Sequence, residues 1–109
     1  TENFVCGNFS AADGGGIGHL GLSDQGLIAN NTIVFNQVFQ QTAGAGGAGG
    51  GMYIAGGAPT GGTLLSPGAG NVTIDGNLIL GNQAGADDGG AIMLRYINGQ
   101  ETAGAQSTW

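Results

Sequence analysis

At 109 residues the chain has room for one domain. Gly supplies 26 residues, yet 40% of the chain is hydrophobic and Val, Ile and Leu fall at regular places, which excludes a disordered linker. Gly does not recur every third residue, so collagen is excluded, and a net charge of −6 with Arg95 as the sole Lys or Arg excludes a basic surface for nucleic acid or anionic membrane.

In chain order, the first element is NFVCGN at 3–8, followed by the tetrad GGGI at 14–17. NTIVFN at 31–36 is next, then a Gly-rich run at 41–51 that closes in GGGM at 49–52. A second Gly-rich loop, 55–70, carries Leu64 and Leu65 at its tip and is expected to fold back over the body. NLILGN at 77–82 and GGAI at 89–92 complete the series. The three N-x-[VI]-x-x-N blocks align Asn3 with Asn31 and Asn77, Val5 with Ile33 and Ile79, and Asn8 with Asn36 and Asn82. The last two share an apolar residue upstream, Ile28 and Ile74.

The copies recur after 28 and then 46 residues, so the strands are constant while the insertions between them vary. Short runs rich in Val and Ile, bounded by Asn and Gly, read as strands. Helices are a poor alternative, because interior Gly costs about 1 kcal/mol per position. The reading is all-β: a right-handed parallel β-helix of about three coils, one segment spanning 1–109, with Gly-rich loops. Stacked Val5, Ile33 and Ile79 would form an apolar ladder. Stacked Asn8, Asn36 and Asn82 would form an amide ladder at a corner, where Asn tolerates a left-handed backbone. The glycine tetrads would turn the opposite corner.

This pattern resembles the FxxN and GGA[ILV] repeats of chlamydial polymorphic outer-membrane proteins, and the GGGI repeats of bacterial right-handed parallel β-helix surface proteins. Val5, Ile33 and Ile79 stand where those repeats carry Phe. The resemblance covers about residues 3–98. It implies a secreted or surface-displayed solenoid that works as an adhesin, a passenger or a carbohydrate-active enzyme. The chain opens TENFVCGN without Met and stops at QSTW, and it reads as a mature or internal piece of a longer protein. It carries no secretory signal pattern and no stretch near the roughly 20 apolar residues of a membrane span.

The leading functional expectation is a structural or adhesive segment, extracellular or at the cell surface, that presents loops or associates with other chains or with itself. Alternation along the strands turns Phe4, Cys6, Val34, Leu78 and Leu80 outward as a candidate interface. Strand alternation that is locally broken, or a neighbouring loop that covers the strip, is the alternative, and the one the residues favour. A filament or larger assembly built through the same strip is a further reading. Cys6 alone excludes an internal disulfide and is expected to be a small packed thiol.

The other reading is a carbohydrate-active enzyme. Asp13 and Asp88 occupy one repeat position, four residues before Ile17 and Ile92, with Ala48 between them. Stacking would set them about 9.6 Å apart, beside the roughly 6.5–9.5 Å of inverting glycosidases. Asp87 adjoins them, and a Ca²⁺ near Asp87 and Asp88 would be the one conceivable ion; no cofactor is expected. Asp before Gly is also ordinary turn chemistry, which the residues favour. His19 takes an inward position otherwise held by Ile54 and Leu94 and is expected to be a satisfied, partly buried side chain. An enzyme is the less favoured reading.

Overall fold

The computed structural model describes residues 1–58 and 67–97, and among them every regular element is a β-strand. Leu64 and Leu65 lie outside the described residues. The strands are β1 (Phe4–Cys6), β2 (Phe9–Ser10), β3 (Ile17–Leu20), β4 (Ser23–Ala29), β5 (Thr32–Val34), β6 (Gln37–Val38), β7 (Met52–Ala55), β8 (Gly70–Asp75), β9 (Leu78–Leu80) and β10 (Ile92–Arg95). They form four sheets, all with parallel pairing: β1-β5-β9, β2-β6, β3-β7-β10 and β4-β8.

Each strand of one sequence copy pairs with the corresponding strand of the next. Val5 sits opposite Ile33, and Ile33 opposite Ile79. Ile17, Met52 and Ile92 form a second row, and His19, Ile54 and Leu94 a third. Gln37 extends the β2-β6 pairing to Gln83 through a single bridge. The insertions at 39–51 and 56–69 leave this register intact, because they leave and rejoin the copy between strands.

The tetrads also pair copy to copy. Gly15 N donates to Gly49 O, Gly50 N to Gly89 O, and Met52 N to Ala91 O. The first tetrad position has positive φ in every copy, at 76° in Gly14, 68° in Gly49 and 80° in Gly89. A Cβ there strains the backbone, which explains why all three copies write Gly.

The corner after β1, β5 and β9 makes the same demand. Gly7, Phe35 and Gly81 align there, with Gly7 N donating to Val34 O and Phe35 N to Leu80 O. Their φ values are 66°, 54° and 65°, so the middle copy places a phenylalanine in left-handed backbone. That conformation costs an ordinary L-residue roughly 1–2 kcal/mol.

Burial follows position in the stack. Ile33, Val38, Met52 and Ile54 of the middle copy are fully buried. Their counterparts in the outer copies, Val5, Ile17, Ile79 and Ile92, are only half-buried, since each has a neighbour on one side. Truncating Ile54 to Ala is therefore expected to cost about 2–5 kcal/mol. Leu94→Ala, at a residue 43% exposed in the same row, is expected to cost under about 1 kcal/mol. Urea unfolding of the two variants measures the difference, and equal losses would contradict a core centred on the middle copy.

Candidate functional site

Three features are candidates: the carboxylates near the tetrads, the outer face of β1-β5-β9, and the Asn ladders.

Asp13 and Asp88 do occupy one position in the stack, with Ala48 between them, since Gly14 N donates to Ala48 O and Gly49 N to Asp88 O. Asp13 Oδ1 accepts from Gly47 N at 2.8 Å and Ala48 N at 2.9 Å. Asp87 Oδ1 accepts from Gly44 N at 3.2 Å. The insertion of the middle copy is thus pinned from both sides, by a carboxylate of the first copy and one of the third. These bonds give Asp13 and Asp87 an anchoring task that explains their presence without chemistry.

A shallow groove of about 350 Å³ lies beside this insertion, lined by Gly44, Gly46, Ala48, Asp87, Asp88, Met93 and Arg95. Arg95 is exposed and stacks 5.0 Å from the centre of the Tyr96 ring. Hydrogen bonding to Tyr96 first, and then to Tyr53, holds its guanidinium above the ordinary arginine value. Among the described residues no three His, Cys, Asp or Glu side chains converge as a metal site. His19 is half-buried, and its Nδ1 has no partner, so the expectation of a satisfied histidine is corrected. It faces Ile54, which offers nothing to bond.

The face of β1-β5-β9 is apolar and largely bare. Phe4 is 72% exposed, and Leu78 and Leu80 are 56% and 57% exposed. Cys6 is exposed as well, which corrects the expectation of a packed thiol. Val34 is the exception. It points the same way as its register partners Cys6 and Leu80 but is buried between them, so it is not offered to a partner. Sequence reasoning missed three further members. Phe9, Phe35 and Phe39 are exposed by 71%, 62% and 52%, and they carry the apolar surface past the corner into β2-β6. Strand alternation could have flagged Phe9. Phe35 sits at a corner, where alternation gives no sign.

The amide ladders run along two corners with one polarity. Asn3 N and Nδ2 both donate to Asn31 Oδ1, at 2.9 and 3.0 Å. Asn31 N and Nδ2 donate to Asn77 Oδ1 at 2.9 and 2.8 Å. At the second corner Asn8 N and Nδ2 donate to Asn36 Oδ1, and Asn36 N and Nδ2 to Asn82 Oδ1. Spare amide hydrogens return to carbonyls of the preceding copy: Asn36 to Val5 O, Asn82 to Ile33 O, and Asn77 to Ile28 O.

Compared with known protein families, curated proteins and solved structures, the chain matches none. No helix among the described residues is long and apolar enough to cross a membrane.

Proposed function

We propose that the chain is a segment of a right-handed parallel β-helix of about three coils, displayed outside the cell or on its surface, and that its work is association with other chains, copies of itself included. Parallel pairing of every strand with its counterpart in the next copy supports the winding. Its hand follows from the rule that parallel crossover connections are right-handed in about 98% of cases. The composition, poor in Lys and rich in Gly, Ala, Ser, Thr and Asn, suits an extracellular surface. The resemblance to surface-displayed β-helix repeats points the same way.

The observation that carries the association reading is the bare apolar face of Phe4, Phe9, Phe35, Phe39, Leu78 and Leu80. Large apolar side chains exposed together along neighbouring strands mark interaction sites on soluble proteins. Phe35 adds weight, because it is a bulky aromatic 62% exposed in left-handed backbone, although one edge of its ring covers Gly81 of the next copy. Strain of that kind clusters at functional positions. The carbohydrate-active alternative has less support, since Asp13 and Asp87 are engaged with backbone amides of the insertion.

Phe35→Asp tests the reading. Aspartate tolerates the left-handed backbone better than phenylalanine, so the variant is expected to fold with stability within about 1 kcal/mol of the parent. Side-to-side association, read as particle mass by light scattering, is expected to fall. A folded variant whose particle mass equals the parent's at every concentration would remove the strip as the association surface.

A further inference from the structure

We infer that the groove beside the middle insertion binds a small zwitterion, a free amino acid with an apolar side chain, whose carboxylate meets Arg95 and whose ammonium meets Asp88. The site uses none of the residues of the apolar strip and needs no particular hand of the coil. It lies where the third copy departs from the repeat. Strand register aligns Ala55 with Arg95 and Tyr53 with Met93. Backbone bonds carry the alignment on to Gly56 with Tyr96 and back to Ala48 with Asp88, since Gly56 N donates to Arg95 O and Gly49 N to Asp88 O. The middle copy therefore writes Ala48, Ala55 and Gly56 where the third writes Asp88, Arg95 and Tyr96. Small residues satisfy the coil at these positions, so winding alone calls for neither the two charges nor the aromatic ring. The first copy also has an acid, Asp13, but its carboxylate is engaged by Gly47 N and Ala48 N.

Arg95 is the sole Lys or Arg of a chain with seven acids, yet it pairs with no carboxylate among the described residues. Two tyrosines hold it instead. Its Nη2 donates to Tyr96 Oη at 3.4 Å, its guanidinium stacks on the Tyr96 ring, and it hydrogen-bonds to Tyr53. Tyr53 is buried and packs with Ala48, Ala55 and Met93, so this support is fixed. The two phenols leave about three of the five guanidinium N–H donors open. A carboxylate takes two of them side by side. Tyr96 stands in left-handed backbone at φ 53°, and strained positions of that kind concentrate at binding and active sites.

Asp88 brings the opposite charge to the same groove. Its backbone carbonyl accepts from Gly49 N, while its carboxylate has no hydrogen-bond partner among the described residues. Asp87 gives one oxygen to Gly44 N and keeps the other. Met93 adds an apolar wall. The volume of about 350 Å³ stands at the small end of ligand sites, which span about 300–1,000 Å³, and suits a molecule of amino-acid size. A simple anion would meet two carboxylates, and a simple cation would meet Arg95. A molecule that bears both charges satisfies both, and an apolar side chain on it covers Met93.

Calorimetric titration of the whole chain with L-leucine, L-leucinamide and N-acetyl-L-leucine tests the site. L-Leucine is expected to bind, and each derivative, having lost one charge, to bind roughly tenfold more weakly. Arg95→Gln and Asp88→Asn are each expected to weaken L-leucine by roughly tenfold. Arg95→Gln should not further weaken L-leucinamide, which has no carboxylate, and Asp88→Asn should not further weaken N-acetyl-L-leucine, which has no ammonium. That crossed pattern assigns each end of the ligand to its residue. Asp88→Asn is expected to unfold in urea at the parent's midpoint, because its side chain has no bond to lose, so a weaker response from it reports binding and not folding.

No response to L-leucine at its highest soluble concentration would overturn the inference and leave the association reading standing. Equal affinity for all three compounds would overturn it too, as would L-leucine binding that survives both Arg95→Gln and Asp88→Asn, or binding of a neutral saccharide such as maltose in place of L-leucine. Phe35→Asp is expected to leave the titration unchanged, and a parallel loss would move the ligand to the strip and overturn the groove as its site.

Discussion

Asn36→Ala is expected to remove about 4 kcal/mol of stability, a large share of the 5–15 kcal/mol typical of a domain. Asn36 is fully buried and is the one ladder residue with a copy on both sides at its corner. Its Oδ1 accepts from Asn8 N and Nδ2 at 3.0 and 2.8 Å. Its Nδ2 donates to Val5 O at 3.0 Å and Asn82 Oδ1 at 2.9 Å. Alanine deletes all four bonds and leaves their partners facing a small void that holds no replacement. A net contribution of about 1 kcal/mol per bond sets the estimate. Asn8→Ala provides the comparison. Asn8 is exposed, and its side chain makes a single bond, so its loss is expected to stay near 1 kcal/mol. Chemical denaturation of both variants measures the gap. A loss below 1 kcal/mol for Asn36→Ala would mean that the amide ladder fits the corner without stabilising it.

Gly50→Ala is expected to be of similar severity, at about 3 kcal/mol or more, through overpacking against backbone. A Cβ on Gly50 would lie 2.6 Å from the Gln83 carbonyl oxygen and 2.7 Å from its amide nitrogen, and would collide with the carbonyl carbon too. Gln83 is tied to Gln37 by its bridge and to Asn36 O through its own N–H, so it cannot yield without loosening the third copy. Gly90 holds the same tetrad position one copy later. There the nearest atom to a new Cβ is Asn82 O at 3.4 Å, so Gly90→Ala is expected to cost under about 1 kcal/mol. Thermal unfolding of the pair checks this, and equal melting temperatures would show that the tetrads are not held at close backbone approach.

These two variants also mark how legible the molecule was in its letters. Aligning Asn31 with Asn77 and Ile33 with Ile79 needed only the recurrence of N-x-[VI]-x-x-N, and the observed register pairs the same residues. Repetition is readable because stacked copies share one environment, and one environment selects one residue type. The all-β class was legible for the same reason: Gly and Asn punctuate short β-branched runs, which suits strands and opposes helices. The candidate site was less legible. Alternation identified Phe4, Leu78 and Leu80 as outward, but it could not separate them from Val34, which has the same orientation and differs only in having a copy on each side.

By itself, then, the sequence determined the all-β class, the pairing of copy with copy at the N-x-[VI]-x-x-N blocks and the tetrads, and the residues that line those rows, since these depend on local pattern and its recurrence; the strands at 9–10, 37–38, 23–29 and 70–75 it did not mark. Only the tertiary structure decided that Cys6 is bare, that His19 Nδ1 has no partner, that Asp13 and Asp87 hold the middle insertion, and that Phe35 stands exposed in left-handed backbone. Each of those facts depends on what lies beside a residue across 28 or more positions of chain, and solvent access and hydrogen-bond partners are properties of that neighbourhood and not of the residue.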